Sequence, residues 1–218
     1  MYHKTGVWVS RRGCDVANEH DHWSFGMNEK AELRKLWMER ESGLTEKYIA
    51  ESNVGIADNL FSLQEFQNAK TVLFFYSIWN EPDTHKMIHR ALGIGKTVAL
   101  PKTYPRGVMT AKEIGGLDEL TPTRFGIPEP SESAPVIDPN KLDFIVVPSV
   151  AFDRDGYRLG HGAGYYDIYL ASTGAFTCGV AREKMLNTFV PREKHDISVN
   201  CIVTENEILR FSHHGIDL

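Results

Sequence analysis

The sequence predicts an α/β domain built on a parallel sheet, and three observations lead there. Residues 71–77, 97–100 and 144–148 are short, continuous apolar runs rich in β-branched and aromatic residues, the pattern of strands covered on both faces. A helical pattern separates the first two, so strand, helix and strand follow within about 30 residues, a parallel, right-handed βαβ unit. A chain of 218 residues suits one such domain.

Composition narrows the function. The net charge of −5 gives no broad basic face for nucleic acid. No uncharged apolar stretch approaches the ~18–20 residues that a membrane span needs. Cys14, Cys178 and Cys201 are scattered and form no Cys-x-x-Cys pair; neither a disulfide framework nor a zinc site is expected, and a reducing, cytoplasmic setting fits.

Taken in order, residues 1–26 mix aromatic, basic, acidic and histidine side chains with no period. They read as a disordered extension ahead of a single domain over residues 27–218, with Met27 a candidate start. From Asn28, which can cap, a helix is expected with Leu33, Leu36 and Trp37 inward. Lys30 and Arg34, four apart, share one of its faces, either as a solvated basic stripe or as a clamp. Residues 45–61 form a second amphipathic helix, with Ile49, Ile56 and Leu60 inward. The first strand runs out into residues 78–84, where Asp83 or Thr84 caps a helix that Gly93 stops. Ligands in open α/β sheets sit beyond the carboxyl ends of strands, which puts residues 78–83, Pro101 and Lys102 at a site mouth. Residues 101–140 are rich in Pro, Gly and Thr; short irregular strands and a wall or flap over the site are expected. Later strands are expected at 175–180 and 200–204, joined by a polar connection.

The densest stretch is residues 152–170. An Asp-Gly hairpin turn over 153–156 leads to Gly160, Gly162 and Gly164 at alternate positions, then Tyr165, Tyr166 and Asp167 at the start of a helical pattern. Alternating glycines let backbone N–H groups converge on an anion, and a helix N-terminus adds to the field. Arg158 and His161 supply mobile positive charge, and Asp167 suits a metal. Glycine clusters also serve plain turns, so the loop alone reads either way. The spacing fits neither a dinucleotide fingerprint nor a P-loop.

Residues 147–153 and the run Gly160-His161-Gly162-Ala163-Gly164-Tyr165-Tyr166-Asp167 resemble the signature of the 5-formyltetrahydrofolate cyclo-ligase family. Further resemblances follow in the family's order: Lys30-Ala31-Glu32-Leu33-Arg34, Glu81-Pro82-Asp83-Thr84, Leu100-Pro101-Lys102, Gly126-Ile127-Pro128-Glu129-Pro130 and His195-Asp196. Together they span about residues 28–210.

The resemblance implies a three-layer α/β/α sandwich with a mostly parallel mixed sheet, related to ribose-phosphate isomerase and CoA-transferase-like folds. It implies an ATP- and Mg²⁺-dependent conversion of 5-formyltetrahydrofolate to 5,10-methenyltetrahydrofolate, with ADP and phosphate. Lys30, Arg158 and His161 would be catalytic. Lys30, Arg34, Arg158, Gly160, His161, Gly162, Ala163, Gly164, Tyr165 and Tyr166 would hold ATP. Arg34, Ile78, Asp83, His161, Gly162, Gly164 and Tyr165 would contact the folate, and Asp167 and Asp196 would hold Mg²⁺. A monomer or weak dimer is expected. His161 stands where relatives carry Arg or an aromatic residue, and Ala163 where Lys or Gly is usual. If His161 meets the phosphoryl group, activity should fall above roughly pH 7. A folate-binding paralogue without catalysis is the alternative. A sugar-phosphate isomerase or CoA-transferase fits less well, since it has no use for ATP and metal ligands.

Overall fold

Alternation within the apolar runs decides the centre of the fold. In a computed structural model of the chain, which describes residues 27–123 and 126–211, Val72, Val98, Leu100, Phe144 and Val146 point to one face of a sheet. Leu73, Ala99, Ile145 and Val147 point to the other. Both faces are covered, which is why the sequence shows unbroken apolar runs rather than alternating polarity. The expected extension over residues 1–26 lies outside the described residues.

Helices α1 (Met27–Ser42), α2 (Glu46–Ser62) and α3 (Gln64–Asn68) precede strand β1 (Thr71–Leu73). Helix α4 (Thr84–Gly93) crosses to β2 (Thr97–Thr103), parallel to β1, as the βαβ reading expects. Then come β3 (Met109–Ile114), the small β4 (Thr121–Pro122) and β5 (Pro128–Glu129) pair, and β6 (Val136–Ile137). Strand β7 (Phe144–Val147) lies beside β1. Strands β8 (Ala151–Asp153) and β9 (Arg158–Leu159) form the hairpin before α5 (Tyr165–Leu170). Strands β10 (Phe176–Val180), β11 (Leu186–Asn187), β12 (Cys201–Val203) and β13 (Ile208–Arg210) complete the order.

The main sheet has eight strands in the order β13-β12-β10-β7-β1-β2-β3-β6. Its five central strands are mutually parallel; β13 and β3 join them antiparallel at the two sides, and β6 pairs antiparallel with β3 at the edge. Helices α2, α3 and α4 cover one face through Ile56, Leu60, Phe66, Met87 and Ile88. The other face differs from the expected helical layer. Six-residue α5 and the small sheet β11-β8-β9 share it, through Tyr169, Leu170 and Phe152. Helix α1 then packs on that small sheet, with Trp37 against Val150, Ala151 and Leu159.

Several local expectations change. Asn28 lies inside α1 instead of capping it. Leu36 is exposed while Trp37 is buried, so the inward stripe of α1 is Leu33 and Trp37 with the two basic residues. Thr45 caps α2 by accepting from the Tyr48 amide. The first strand keeps regular pairing only to Leu73, beyond which Phe74 and Phe75 stay buried. Strand β3 was hidden by Lys112. That residue is 3% exposed, and its ammonium donates to the carbonyls of Glu132 and Ala134. A buried lysine in a strand breaks the apolar alternation by which strands are recognised. Cys178 and Cys201 are buried partners across β10 and β12, both free thiols. No helix among the described residues is long and apolar enough to cross a membrane.

Candidate functional site

The site forms where the central strands end. Phe75 and Ile78 follow β1, Pro101 and Thr103 close β2, and Pro148 follows β7, and all five line one cleft of about 720 Å³. That is the carboxyl edge of the parallel strands. Met109, Ile127 and Trp79 extend its apolar part. Across it stand Lys30 and Arg34 from α1, the segment from Arg158 to Asp167, and Glu193, His195 and Asp196. A cleft of this size suits a drug-sized ligand.

The glycine loop borders the cleft. Asp153, fully buried, accepts from the amides of Asp155, Tyr157 and Val190, and Arg192 pairs with it, so the hairpin is fixed at its turn. The following loop has φ +102° at Gly162 and +71° at Gly164, conformations that disfavour a side chain. A Cβ on Gly162 would also stand 3.4 Å from the Arg34 guanidinium carbon. Arg34 Nε donates to the Gly160 carbonyl at 2.7 Å, fastening α1 to the loop. The amides of residues 161–164 have no acceptor among the described residues. A buried or cleft-lining N–H without a partner is a place for a ligand acceptor. The helix that follows has six residues, too short to add a large dipole at the loop.

The charged side chains form two groups. In the first, Lys30 Nζ lies 2.7 Å from Asp196 Oδ2 and 3.8 Å from Glu193, and its side chain is 14% exposed. Asp196 Oδ2 also accepts from the Glu193 amide at 2.6 Å. Arg158 is not the mobile cation expected. It is buried, its guanidinium pairs with Asp167 Oδ1, and it donates to the Ile197 carbonyl at 2.7 Å. Burial pulls its pKa below the ordinary arginine value, against the pull of Asp167. Tyr165 donates to the Tyr104 carbonyl at 3.0 Å. The buried Tyr166 hydroxyl has no partner among the described residues, and burial pushes its pKa far up, so it stays neutral.

The second group centres on His161. Its Nε2 lies 3.4 Å from Glu81 Oε1, with the Glu81 side chain 8% exposed and that of His161 46% exposed. The hydrogen bond to Glu81 raises the His161 pKa above the usual imidazole value, against burial. Glu41 is pushed up by burial and by Glu81 nearby.

Asp83 is not brought into the main cleft. It caps α4, accepting from the Lys86 amide at 3.3 Å, and pairs with the Lys86 ammonium at 3.4 Å. It lines a smaller cavity of about 320 Å³ with Asn53, Ser77, Trp79, Glu81 and His85. A carboxylate with both oxygens engaged by its own helix is poorly placed to meet a ligand. Glu81, two residues earlier, is the acid that reaches His161. Lys102 likewise points away, to the Pro130 carbonyl at 3.0 Å.

Sequence reading missed Arg182 altogether. It follows β10 at the carboxyl edge of the sheet and is 1% exposed. It donates to Ser52 Oγ (3.0 Å), Asn53 Oδ1 (2.8 Å) and the carbonyls of Asn80 (2.5 Å) and Glu81 (3.3 Å). The one available signal was its position, an arginine directly after a buried parallel strand.

The residues suit Mg²⁺ as far as donor chemistry goes. Asp167 and Asp196 border the same cleft, and each gives one oxygen to protein donors, Oδ1 and Oδ2 respectively. No cluster of three acidic, histidine or cysteine ligands occurs among the described residues. Mg²⁺ asks for only one or two carboxylates when phosphate oxygens and water complete its shell.

The chain is similar to known proteins over most of its length. The model of the 5-formyltetrahydrofolate cyclo-ligase family matches residues 26–205. The chain is 30% identical to the 5-formyltetrahydrofolate cyclo-ligase of Escherichia coli K12 over 78% of its length and 97% of the relative's. It is 29% identical to a probable 5-formyltetrahydrofolate cyclo-ligase of Schizosaccharomyces pombe, over 83% and 97%. The solution structure of Aquifex aeolicus 5,10-methenyltetrahydrofolate synthetase superposes with a TM-score of 0.75 at 33% identity, covering 87% of this chain and 99% of that one.

Proposed function

The chain belongs to the 5-formyltetrahydrofolate cyclo-ligase family, and from that premise we propose that it uses ATP to close 5-formyltetrahydrofolate to the 5,10-methenyl form. The observation that supports this most is the meeting, in one cleft, of an apolar half with a loop of unpartnered amides faced by Lys30 and Arg34. An aromatic substrate and a polyphosphate can lie there side by side.

The chemistry explains the need for both. A formamide oxygen is a poor leaving group, so N10 cannot expel it directly. Transfer of the γ-phosphoryl forms a P–O bond to the formyl oxygen, breaks the bond to the β-phosphate and releases ADP. The formyl carbon, now an iminium phosphate on N5, takes the N10 lone pair. The N10 proton is lost, and phosphate leaves with the electrons of the old C–O bond.

Such transfer depends on positioning and on neutralised charge. The amides of residues 161–164 and the Tyr166 hydroxyl donate to phosphate oxygens. Lys30, oriented by Asp196, and Arg34, oriented by the Gly160 carbonyl, add fixed positive charge. Asp167 and Asp196 would hold Mg²⁺, which supplies further charge neutralisation on the phosphates. Ile78 and the apolar lining exclude water from the phosphorylated intermediate.

His161 sets the pH dependence. Glu81 raises its pKa, so its positive charge persists above the ordinary value of about 6.5 and is lost as pH rises through the raised one. The alkaline fall in activity therefore lies higher than an isolated histidine would put it. In rate profiles from pH 6 to 10, His161→Arg removes that limb, because arginine does not titrate there. Persistence of the limb in the variant would assign it to another group.

The function itself is tested by incubating the protein with 5-formyltetrahydrofolate, ATP and Mg²⁺ and following methenyl absorbance in the near ultraviolet. Product should form only with ATP. Tight folate binding without product would make the chain a folate-binding relative, and ATP-independent product would remove the phosphoryl step.

A further inference from the structure

Trp79 is 77% exposed, more than any other large hydrophobic side chain among the described residues. Its backbone is unusual too. The Glu81 amide donates to the Ile78 carbonyl at 3.1 Å, closing a four-residue turn with Trp79 in second position at φ +49°. Positive φ at that place favours Gly, Asn or Asp, and a bulky aromatic residue there is strained.

Strain of this kind persists where the surroundings fix it, and it gathers at ligand sites. The fixing is visible. Arg182 holds the carbonyls of Asn80 and Glu81 from below. Asn80 Nδ2 donates to the Glu41 carbonyl at 3.3 Å, and the Ile78 amide donates to Glu81 Oε2 at 2.8 Å. A fully buried arginine thus keeps a turn whose outcome is an indole held in solvent. Folding gains nothing from that placement.

Position supplies the purpose. Trp79 borders both cavities. On one side it joins Phe75, Ile78, Met109 and Ile127, the apolar half of the main cleft. On the other it borders the smaller cavity beside Ser77 and Glu81, whose oxygens can accept hydrogen bonds from ring N–H donors. The phosphate-holding loop lies across the cleft.

We propose that Trp79 is a substrate-contacting residue whose indole stacks on the ring system of the bound folate and so sets specificity for a flat aromatic ligand. The inference rests on the folate reading above. It assigns Trp79 to the folate rather than to the adenine of ATP, since the apolar lining lies on its side of the cleft and the glycine loop with Lys30 and Arg34 lies opposite. Stacked aromatic pairs add affinity beyond the area they bury.

The test uses the whole chain without ATP. Tryptophan emission is titrated with 5-formyltetrahydrofolate, corrected against N-acetyltryptophanamide, and affinity is measured separately by calorimetry. The parent should show saturable quenching, and Trp79→Phe should lose at least half of it while keeping affinity within about threefold. Trp79→Asn, which suits the turn, should melt no lower than the parent yet bind folate about tenfold more weakly, with ATP affinity unchanged. Undiminished quenching in Trp79→Phe overturns the proposal, as does unchanged folate affinity in Trp79→Asn or a loss of ATP affinity instead. Calorimetry that finds no folate binding to the parent overturns the folate reading itself, a result distinct from the others.

Discussion

Arg182→Ala is expected to lose about 3–5 kcal/mol of stability, because the residue is 1% exposed and its loss strips donors from two backbone carbonyls, a serine and an asparagine. For a chain of this size that is roughly a 10 °C fall in melting temperature. Activity should fall further than stability explains. Arg182 holds the Asn80 and Glu81 carbonyls, and Glu81 in turn raises the pKa of His161. Well below the melting point, the variant's alkaline limb should therefore move toward the ordinary histidine value. Arg182→Lys should rescue little, since an ammonium cannot reproduce the planar fork that serves four acceptors. An unshifted pH profile in a folded Arg182→Ala protein would reduce this residue to a structural role.

Lys30→Ala is expected to lower turnover at least about tenfold, with little change in melting temperature. Among the described residues the Lys30 ammonium pairs with Asp196 and Glu193 at the cleft rim, outside the apolar core, so its loss leaves the core intact. It also leaves those two carboxylates facing the phosphate site without a counter-charge. The defect should appear as weaker ATP use, with folate affinity preserved. Equal losses for ATP and folate in steady-state kinetics would contradict a phosphate-specific role.

These residues also show what the sequence could and could not reveal. The parallel centre was legible because residues 71–77, 97–100 and 144–148 are apolar on both faces, and nothing local opposes that reading. The loop was legible because Gly162 and Gly164 do adopt positive φ. Helix α1 was half legible: Lys30 and Arg34 share a face, but only packing shows that the face turns inward and that Leu36 turns out. Strand β3 was obscured by a lysine whose charge is met by carbonyls twenty and more residues away. The acid at residues 81–84 was misplaced for a similar reason. Asp83 and Glu81 differ in sequence by two positions, and only the capping of α4 removes one of them from the cleft. The mobility expected of Arg158 failed on long-range contacts too, since Asp167 and Ile197 immobilise it. Local pattern carried the elements, whereas partners distant in sequence decided which charges are free to act.

The central claim is that ATP activates the substrate by phosphorylating its formyl oxygen within this cleft. The most direct measurement follows that oxygen. 5-Formyltetrahydrofolate labelled with ¹⁸O in the formyl group is converted with unlabelled ATP in unlabelled water, and the products are analysed by mass spectrometry. Each inorganic phosphate released should carry one ¹⁸O, with none in ADP. Unlabelled phosphate, with the heavy oxygen appearing in water, would contradict the account.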